Sequence, residues 1–224
     1  MIRFIRIRWF SSLFGAVYIA LPVISRQTDA KLATQRILGG MSRYKLSKTV
    51  VMVGMMGAGK TAIGLALAKL IGVRFQDSDA QIEKAANLTI AEIFENFGED
   101  FFRDKEGMVL ARLLEGDPVI LSTGGGAYLQ TANRDSIGNK GLAVWLKADR
   151  DLLWSRVRNK TTRPLLQVEN PRERLFELLD ERTPFYQKAG LVVEARSDYS
   201  IQDMAERVLD GLLSHPSQCL KKVG

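Results

Sequence analysis

The feature that most constrains this chain is an eight-residue segment, Gly54–Thr61, with the sequence GMMGAGKT. It fits the pattern Gly-x-x-x-x-Gly-Lys-Thr, whose glycines let successive backbone N–H groups curl around phosphate oxygens. A β-branched run, Thr49–Val53, precedes it, and apolar residues at helical spacing follow it as far as Ile71. The segment is therefore predicted to join a buried strand to a helix whose N-terminus faces a bound phosphate.

Two residues of this loop have predicted roles of their own. Lys60 would reach the β- and γ-phosphates of a nucleotide, and the Thr61 hydroxyl would ligate Mg²⁺. A chance match in a glycine-rich turn is the alternative, but the flanking strand and helix argue against it. The sequence thus favours a nucleotide site with magnesium.

Asp77 and Asp79 follow the second predicted strand, 73–76. Residues two apart in an extended chain point to the same side, so both carboxylates would face the carboxyl edge of a parallel sheet, where ligands bind. One carboxylate would hold a metal-bound water, and the other would accept a proton from a hydroxyl. In the alternative interpretation they are a helix N-cap and a solvated neighbour, without a function.

The rest of the chain alternates short apolar runs with helical patterns. Further strands are predicted at Val119–Ser122, Leu142–Leu146 and Leu191–Glu194. Helices are predicted from Thr89 to about Phe97 and over Glu99–Glu115, Ala127–Ile137 and Pro171–Arg182, and the last predicted helix ends at Leu213. This alternation predicts one α/β domain, residues 48–213, with a parallel sheet covered by helices, although it does not give the strand order. Residues 214–224 are predicted to be a frayed tail.

Composition limits the chemistry of the chain. Cys219 is its only cysteine and His215 its only histidine. An intramolecular disulfide framework is excluded, and the usual zinc sites and catalysis by Ser-His-Asp or Cys-His arrangements are not expected. Catalysis would have to depend on lysine, arginine, carboxylates, backbone groups and a bound cation.

The net charge of +7 is concentrated near the N-terminus. Residues 1–40 carry six basic residues and one acid, so the remainder carries only +2, and nucleic-acid binding is not expected. The apolar run from Trp9 to Ile24 is shorter than the roughly 20 residues that span a bilayer, so membrane association is not expected either. We expect residues 1–40 to lie outside the fold, as a targeting segment or as a translated upstream region before a start at Met41.

Three further positions are candidates for ligand binding. Glu106 lies three residues after Arg103 and on the same helical stripe as apolar residues. Burying a carboxylate there is unfavourable, which indicates a functional role. The alternative is a surface ion pair with Arg103. Arg182 continues an apolar stripe and would suit capture of a carboxylate, unless it extends to solvent from the helix end. Glycines 124–126 follow a strand and indicate either close approach of a ligand or a tight turn.

A basic stretch follows the fourth strand. Arg156, Arg158, Lys160 and Arg163 lie in or beside residues 159–169, which show no periodicity. We expect a mobile lid that brings positive charge to a transferring phosphoryl group. The alternatives are a solvated loop or a nucleic-acid patch, and the lack of interleaved aromatic residues weakens the second of these.

The ordered set of motifs resembles the shikimate kinase family from about Thr49 to Leu213. The motifs are GMMGAGKT at 54–61, DSD at 77–79, FFRDKE at 101–106, STGGG at 122–126, RPLL at 163–166 and ERTPFY at 181–186. The resemblance implies a three-layer P-loop sandwich with a five-stranded parallel sheet and a mobile lid. It also implies a cytoplasmic, monomeric enzyme that uses ATP and Mg²⁺ to phosphorylate the 3-hydroxyl of shikimate, on the route to chorismate and the aromatic amino acids.

The resemblance also implies roles for particular residues. The catalytic residues would be Lys60, Asp79 and Arg163; ATP would be bound by Gly57, Ala58, Gly59, Lys60, Thr61, Ala62, Arg156 and Arg163; shikimate by Asp79, Arg103, Glu106, Gly125, Gly126 and Arg182; and Mg²⁺ by Thr61 and by Asp77 through water. The adenine contact would fall near residues 196–199, without a residue that the sequence can name. The alternatives are a P-loop kinase for gluconate or a nucleoside monophosphate, and a nucleotide-binding regulatory module without turnover.

Overall fold

The computed structural model describes residues 43–159 and 164–223. The predictions for residues 1–40, for Lys160 and for Arg163 lie outside these described residues.

The described residues form seven strands, of which five make one parallel sheet. The strands are β1 (Tyr44–Leu46), β2 (Thr49–Val53), β3 (Phe75–Asp77), β4 (Ile120–Ser122), β5 (Gly141–Lys147), β6 (Leu191–Glu194) and β7 (Leu220–Lys222). The parallel sheet has the order β3-β4-β2-β5-β6, and every residue of its central strand β2 is buried. The predicted five-stranded parallel sheet is thereby confirmed. Its order skips back and forth along the chain, and the apolar runs carry no signal for that.

Seven helices of the described part cover this sheet. They are α1 (Lys60–Ile71), α2 (Ser78–Ala86), α3 (Ile90–Glu115), α4 (Thr131–Lys140), α5 (Arg150–Val157), α6 (Pro171–Tyr186) and α7 (Ile201–Ser214). Helix α1 packs against α7, and α3 packs against both α2 and α4. Among the described residues, no helix combines the length and apolar character needed to cross a membrane.

The helix boundaries differ from the sequence prediction at three places. Helix α3 joins the two helices predicted on either side of Gly98, whose φ of 79° interrupts the helical backbone. The helix predicted over 127–137 begins as a 3₁₀ turn, Ala127–Leu129, and becomes helical only at α4. Helix α6 continues past Arg182 to Tyr186 and accommodates Pro184 near its end.

The prediction of a frayed C-terminal tail is wrong for residues 219–222. Strand β7 pairs antiparallel with β1, and Cys219 and Leu220 are buried. The Ser47 hydroxyl donates a hydrogen bond of 3.1 Å to the Cys219 carbonyl. Two three-residue strands are too short to produce a recognisable period, which is why the sequence pattern did not reveal this pair.

Leu220→Ala tests whether the second sheet contributes to stability. Leu220 is 2% exposed, so its truncation leaves a cavity, and we expect the free energy of unfolding to fall by about 2–3 kcal/mol. Urea denaturation of both proteins measures the change. Val223→Ala is the matched control, because Val223 is 43% exposed and its truncation is expected to change little. Equal effects of the two substitutions would contradict a packed C-terminal strand.

Candidate active site

The carboxyl ends of β2, β3 and β4 meet at one edge of the sheet and open into a cavity of about 440 Å³. The loop after each strand contributes to its wall. Residues lining the cavity are Met56, Gly57, Gly59, Lys60, Thr61, Ala62, Ile63, Asp77, Asp79, Ser122, Thr123, Gly124, Gly125, Arg156, Tyr199, Ser200, Ile201 and Met204. The cavity therefore brings together residues from the GMMGAGKT, DSD and STGGG motifs.

The glycine-rich loop has the strand–loop–helix setting that the sequence predicted. Gly57 and Gly59 have φ of 84° and 95°, values that side-chain-bearing residues rarely adopt. Because the N-cap residue of α1 is Gly59, no side chain caps the helix, and its first N–H groups are left for a ligand. The Lys60 ammonium donates to the carbonyls of Gly54 and Met55 at 2.8 and 3.0 Å, so it lies folded back over the loop.

Three side-chain oxygens cluster beside this loop. The Thr61 hydroxyl donates to Asp77 Oδ2 at 3.1 Å and lies 3.3 Å from the Ser122 hydroxyl. Mg²⁺ prefers a few hard oxygen ligands and completes its shell with water and substrate phosphates, so this donor set fits it. Ser122 was not among the predicted residues, although its place at the end of a strand beside the glycines could have identified it.

Asp77 and Asp79 both line the cavity, but the argument that predicted this is wrong. Strand β3 ends at Asp77, and helix α2 begins at Ser78, so the two carboxylates do not share a strand face. Asp77 instead caps α2: its Oδ1 accepts hydrogen bonds from the backbone N–H of Asp79 at 3.0 Å and of Ala80 at 3.4 Å. Asp77 therefore caps the helix and also lines the cavity, so the two interpretations do not exclude each other.

The Asp79 carboxyl lies deep in the cavity. Its burial, reinforced by the negative charge of Asp77, raises its pKa, while the Lys60 ammonium opposes the rise. A carboxylate with a raised pKa is a better proton acceptor than one in water. Asp79 is therefore the candidate base of the site.

Charged side chains approach glycines 124 and 126 closely. A Cβ on Gly124 would lie 2.8 Å from Asp79 Oδ1 and 3.1 Å from Glu106 Oε1. A Cβ on Gly126 would lie 2.6 Å from the Arg103 guanidinium. A tight turn is also present, since the Ala127 N–H donates to the Gly124 carbonyl.

Glu106 is fully buried, which excludes the alternative of an ordinary surface ion pair. Its Oε2 accepts a hydrogen bond of 2.7 Å from Arg103, and its buried Oε1 has no hydrogen-bond partner among the described residues. Burial outweighs the attraction of Arg103 and raises the pKa of Glu106 to about 6. Arg103 is also held by Glu99 at 3.0 Å, so its guanidinium is fixed from two sides.

Glu106→Gln gives a prediction about pH. The folded protein binds a proton on Glu106 below about pH 6, whereas the unfolded chain binds it only near the ordinary value of 4.5, so the contribution of Glu106 to stability falls as pH rises between these values. Glutamine does not titrate, so Glu106→Gln lacks this pH-dependent loss of stability. We expect its free energy of unfolding, relative to wild type, to rise by about 1–2 kcal/mol from pH 4.5 to 6.5. Urea denaturation across this range measures it, and parallel curves would contradict the pKa shift.

Arg182 is also enclosed by the protein. It is only 8% exposed, so the alternative of an arginine extending to solvent is wrong. Its Nη1 lies 3.5 Å from the position that a Cβ on Gly125 would occupy. Arg103 and Arg182, which are distant in sequence, therefore both face the glycine loop that follows β4.

The other end of the cavity is formed by α5 and by the start of α7. Arg156 Nη1 donates to the carbonyls of Gly57 and Ala58 at 3.3 and 3.4 Å. This end of the cavity is completed by Tyr199, Ser200, Ile201 and Met204. The sequence prediction indicated only the range 196–199 and named none of these four as a site residue. The Ser200–Asp203 capping box that begins α7 was a readable signal for the helix start, but not for its place in the cavity.

Comparison with known proteins agrees with this geometry. The family model described as shikimate kinase matches residues 56–213. The shikimate kinase of Cereibacter sphaeroides is 58% identical over 172 residues, covering 77% of this chain and 86% of that protein; the one from Ruegeria pomeroyi is 59% identical over 167 residues, covering 75% and 86%. The solved shikimate kinase of Acinetobacter baumannii, in complex with shikimate, superposes with a TM-score of 0.72 at 40% identity, covering 75% of this chain and 94% of that one. The chain belongs to the shikimate kinase family.

Proposed function

We propose that this chain transfers the γ-phosphoryl group of ATP to the 3-hydroxyl of shikimate, giving shikimate 3-phosphate and ADP. One observation carries the proposal. Two enclosed arginines, Arg103 and Arg182, face the glycine loop, residues 124–126. The first glycine of this loop contacts Asp79, and the loop borders the phosphate-binding loop, residues 54–61. A small hydroxylated carboxylate is the ligand that such an arrangement fits, because paired arginines recognise carboxylates through their planar forks.

The phosphate-binding loop would hold ATP. Backbone N–H groups from Gly57 to Ala62 surround the phosphates, and the Lys60 ammonium moves from its carbonyl partners to the β- and γ-phosphates. Thr61 and Asp77, with Ser122 beside them, would hold Mg²⁺, which neutralises charge on the phosphate oxygens when it is bound. Arg156 lies over the phosphate-binding loop. Tyr199 and Ile201 line the part of the cavity where the adenine ring of ATP would lie.

The glycine loop and its arginines would hold the acceptor. Arg103 and Arg182 grip the shikimate carboxylate, and Gly125 and Gly126 allow its ring to approach the backbone. Glu106 would hold Arg103 in the orientation that the carboxylate needs, at a distance of 2.7 Å.

Asp79 would act on the hydroxyl that attacks the γ-phosphate. Its carboxylate orients that hydroxyl and accepts its proton as the bond to phosphorus forms. Arg163 of the lid, assisted by Arg156, would stabilise the charge on the transferring group. Phosphoryl transfer depends mainly on positioning and charge neutralisation, which a chain with one cysteine and one histidine can provide. We place the enzyme in the cytoplasm, as a monomer that contributes to chorismate and aromatic amino acid biosynthesis.

Release of ADP tests the proposal directly. The purified protein is given ATP and Mg²⁺ with shikimate, gluconate or each nucleoside monophosphate in parallel. We expect ADP release that depends on shikimate alone. Turnover with gluconate and not with shikimate would support the alternative kinase, and nucleotide binding without any turnover would support a regulatory module.

A further inference from the structure

Tyr186 connects the two halves of the cavity without lining it. It lies one helical turn after Arg182 on α6, so both side chains project from the same face of the helix. Its hydroxyl donates a hydrogen bond of 2.5 Å to the Gly125 carbonyl and lies 3.9 Å from the sulfur of Met55. One hydroxyl thus reaches both the glycine loop after β4 and the phosphate-binding loop after β2.

The Gly125 backbone occupies a narrow position between these loops. A Cβ placed on it would lie 3.5 Å from Arg182 Nη1, 3.6 Å from the Gly54 carbonyl oxygen and 3.7 Å from the Met56 nitrogen. A small displacement of Gly125 would therefore change its separation from the carboxylate-binding arginine and from the phosphate-binding loop together. Among the described residues, the Tyr186 hydroxyl is the side-chain group that donates a hydrogen bond to the Gly125 carbonyl.

The Tyr186 ring is itself held firmly. It is fully buried and stacks on Trp145 of β5, with ring centroids 6.0 Å apart. Burial raises the pKa of its hydroxyl to about 12, so the group is a hydrogen-bond donor at neutral pH. Tyr186 does not line the cavity, so it would act on the substrates through its neighbours Gly125, Met55 and Arg182.

We propose that Tyr186 is a positioning residue, whose hydroxyl fixes the glycine loop against Arg182 and so sets the place of the acceptor relative to the phosphate donor. The inference rests on the proposed function, because it assigns the acceptor to the site between Arg182 and Gly125. It predicts a specific asymmetry: loss of the hydroxyl should impair acceptor binding while the phosphate-binding loop, built from its own backbone, continues to bind ATP.

The test is Tyr186→Phe, which keeps the ring and removes the hydroxyl. We expect the KM for shikimate to rise about three- to tenfold, the range that corresponds to one buried hydrogen bond, with the KM for ATP within about twofold of wild type. Combining it with Arg182→Lys should raise the KM for shikimate by less than the product of the two single effects, since both substitutions disturb the same contact.

Thr49→Val provides the matched control. Its hydroxyl also makes one buried hydrogen bond, from the Val119 N–H at 3.3 Å, but it lies at the amino end of β2, away from the cavity. We expect both of its KM values to match wild type. Tyr186→Phe that fails to fold, that leaves both KM values unchanged, or that raises them equally would overturn the inference. Wild-type protein inactive on shikimate would instead contradict the proposed function.

Discussion

Replacing Asp79 with asparagine is expected to lower kcat with shikimate about 10³-fold, while the Kd for ATP stays within about twofold of wild type. An amide of the same shape cannot accept the hydroxyl proton, and general-base catalysis contributes about 10²–10⁴-fold in enzymes. The fold should tolerate the change, because the carboxyl is buried and its pKa is raised, which means that its charge is costly in the folded state. Steady-state kinetics and calorimetric titration with ATP measure the two effects.

Asp117→Asn is the control for this substitution. Asp117 has a side chain 72% exposed and pairs with Arg74 on the surface, so its kinetics should remain those of wild type. Asp79→Asn that retained more than about a tenth of the wild-type kcat would remove Asp79 from the role of base. Loss of ATP binding in the same variant would assign Asp79 to the nucleotide instead of the acceptor.

Arg182→Lys is expected to raise the KM for shikimate about 100-fold, because lysine keeps the charge and loses the planar fork that binds both carboxylate oxygens. In the proposed function the nucleotide binds at the phosphate-binding loop and not at Arg182, so the KM for ATP should change by no more than about twofold. Initial-rate kinetics with each substrate varied in turn measure both constants. An equal rise of the two would mean that Arg182 supports the whole cavity and does not recognise the acceptor in particular.

Arg174→Lys provides a control on the same helix. Arg174 is half-buried, with 37% of its side chain exposed, and it pairs with Glu177 at 3.0 Å and with Glu181 at 3.6 Å. We expect wild-type kinetics from it. A large effect at this position would show that α6 tolerates no arginine-to-lysine change. The effect of Arg182→Lys could then not be attributed to recognition of the acceptor.

Much of the fold could be predicted because the three central parallel strands, β2, β4 and β5, are short runs buried almost throughout. Thr49–Val53 is such a run, and the glycine-rich loop after it fixed the local strand–loop–helix order. The strand order could not be predicted in this way, since β2 pairs with β4 and β5, which are distant from it in the chain, and an apolar run does not indicate its partner. The β1–β7 pair was missed because three residues show no period.

The candidate site was predictable where a residue type was unusual for its position. Glu106 and Arg182 lie on apolar helical stripes, and both are buried beside the glycine loop. Ser122 could have been identified from its place at the end of a strand beside the glycines. For Tyr199 the sequence indicated only the range 196–199, and it is the start of α7 that brings this residue to the cavity. The premise that Asp77 and Asp79 share a strand face was wrong, because α2 begins at Ser78 and Asp79 is therefore helical.

Identification of the phosphorylated product tests the central claim most directly. The purified protein is incubated with ATP, Mg²⁺ and shikimate, and the product is analysed by mass spectrometry and phosphorus NMR. We predict one phosphoryl group per molecule of shikimate, attached at the 3-hydroxyl, in equal amount to the ADP formed. Unmodified shikimate beside ADP and free phosphate, or a phosphoryl group on a different hydroxyl, would contradict the account.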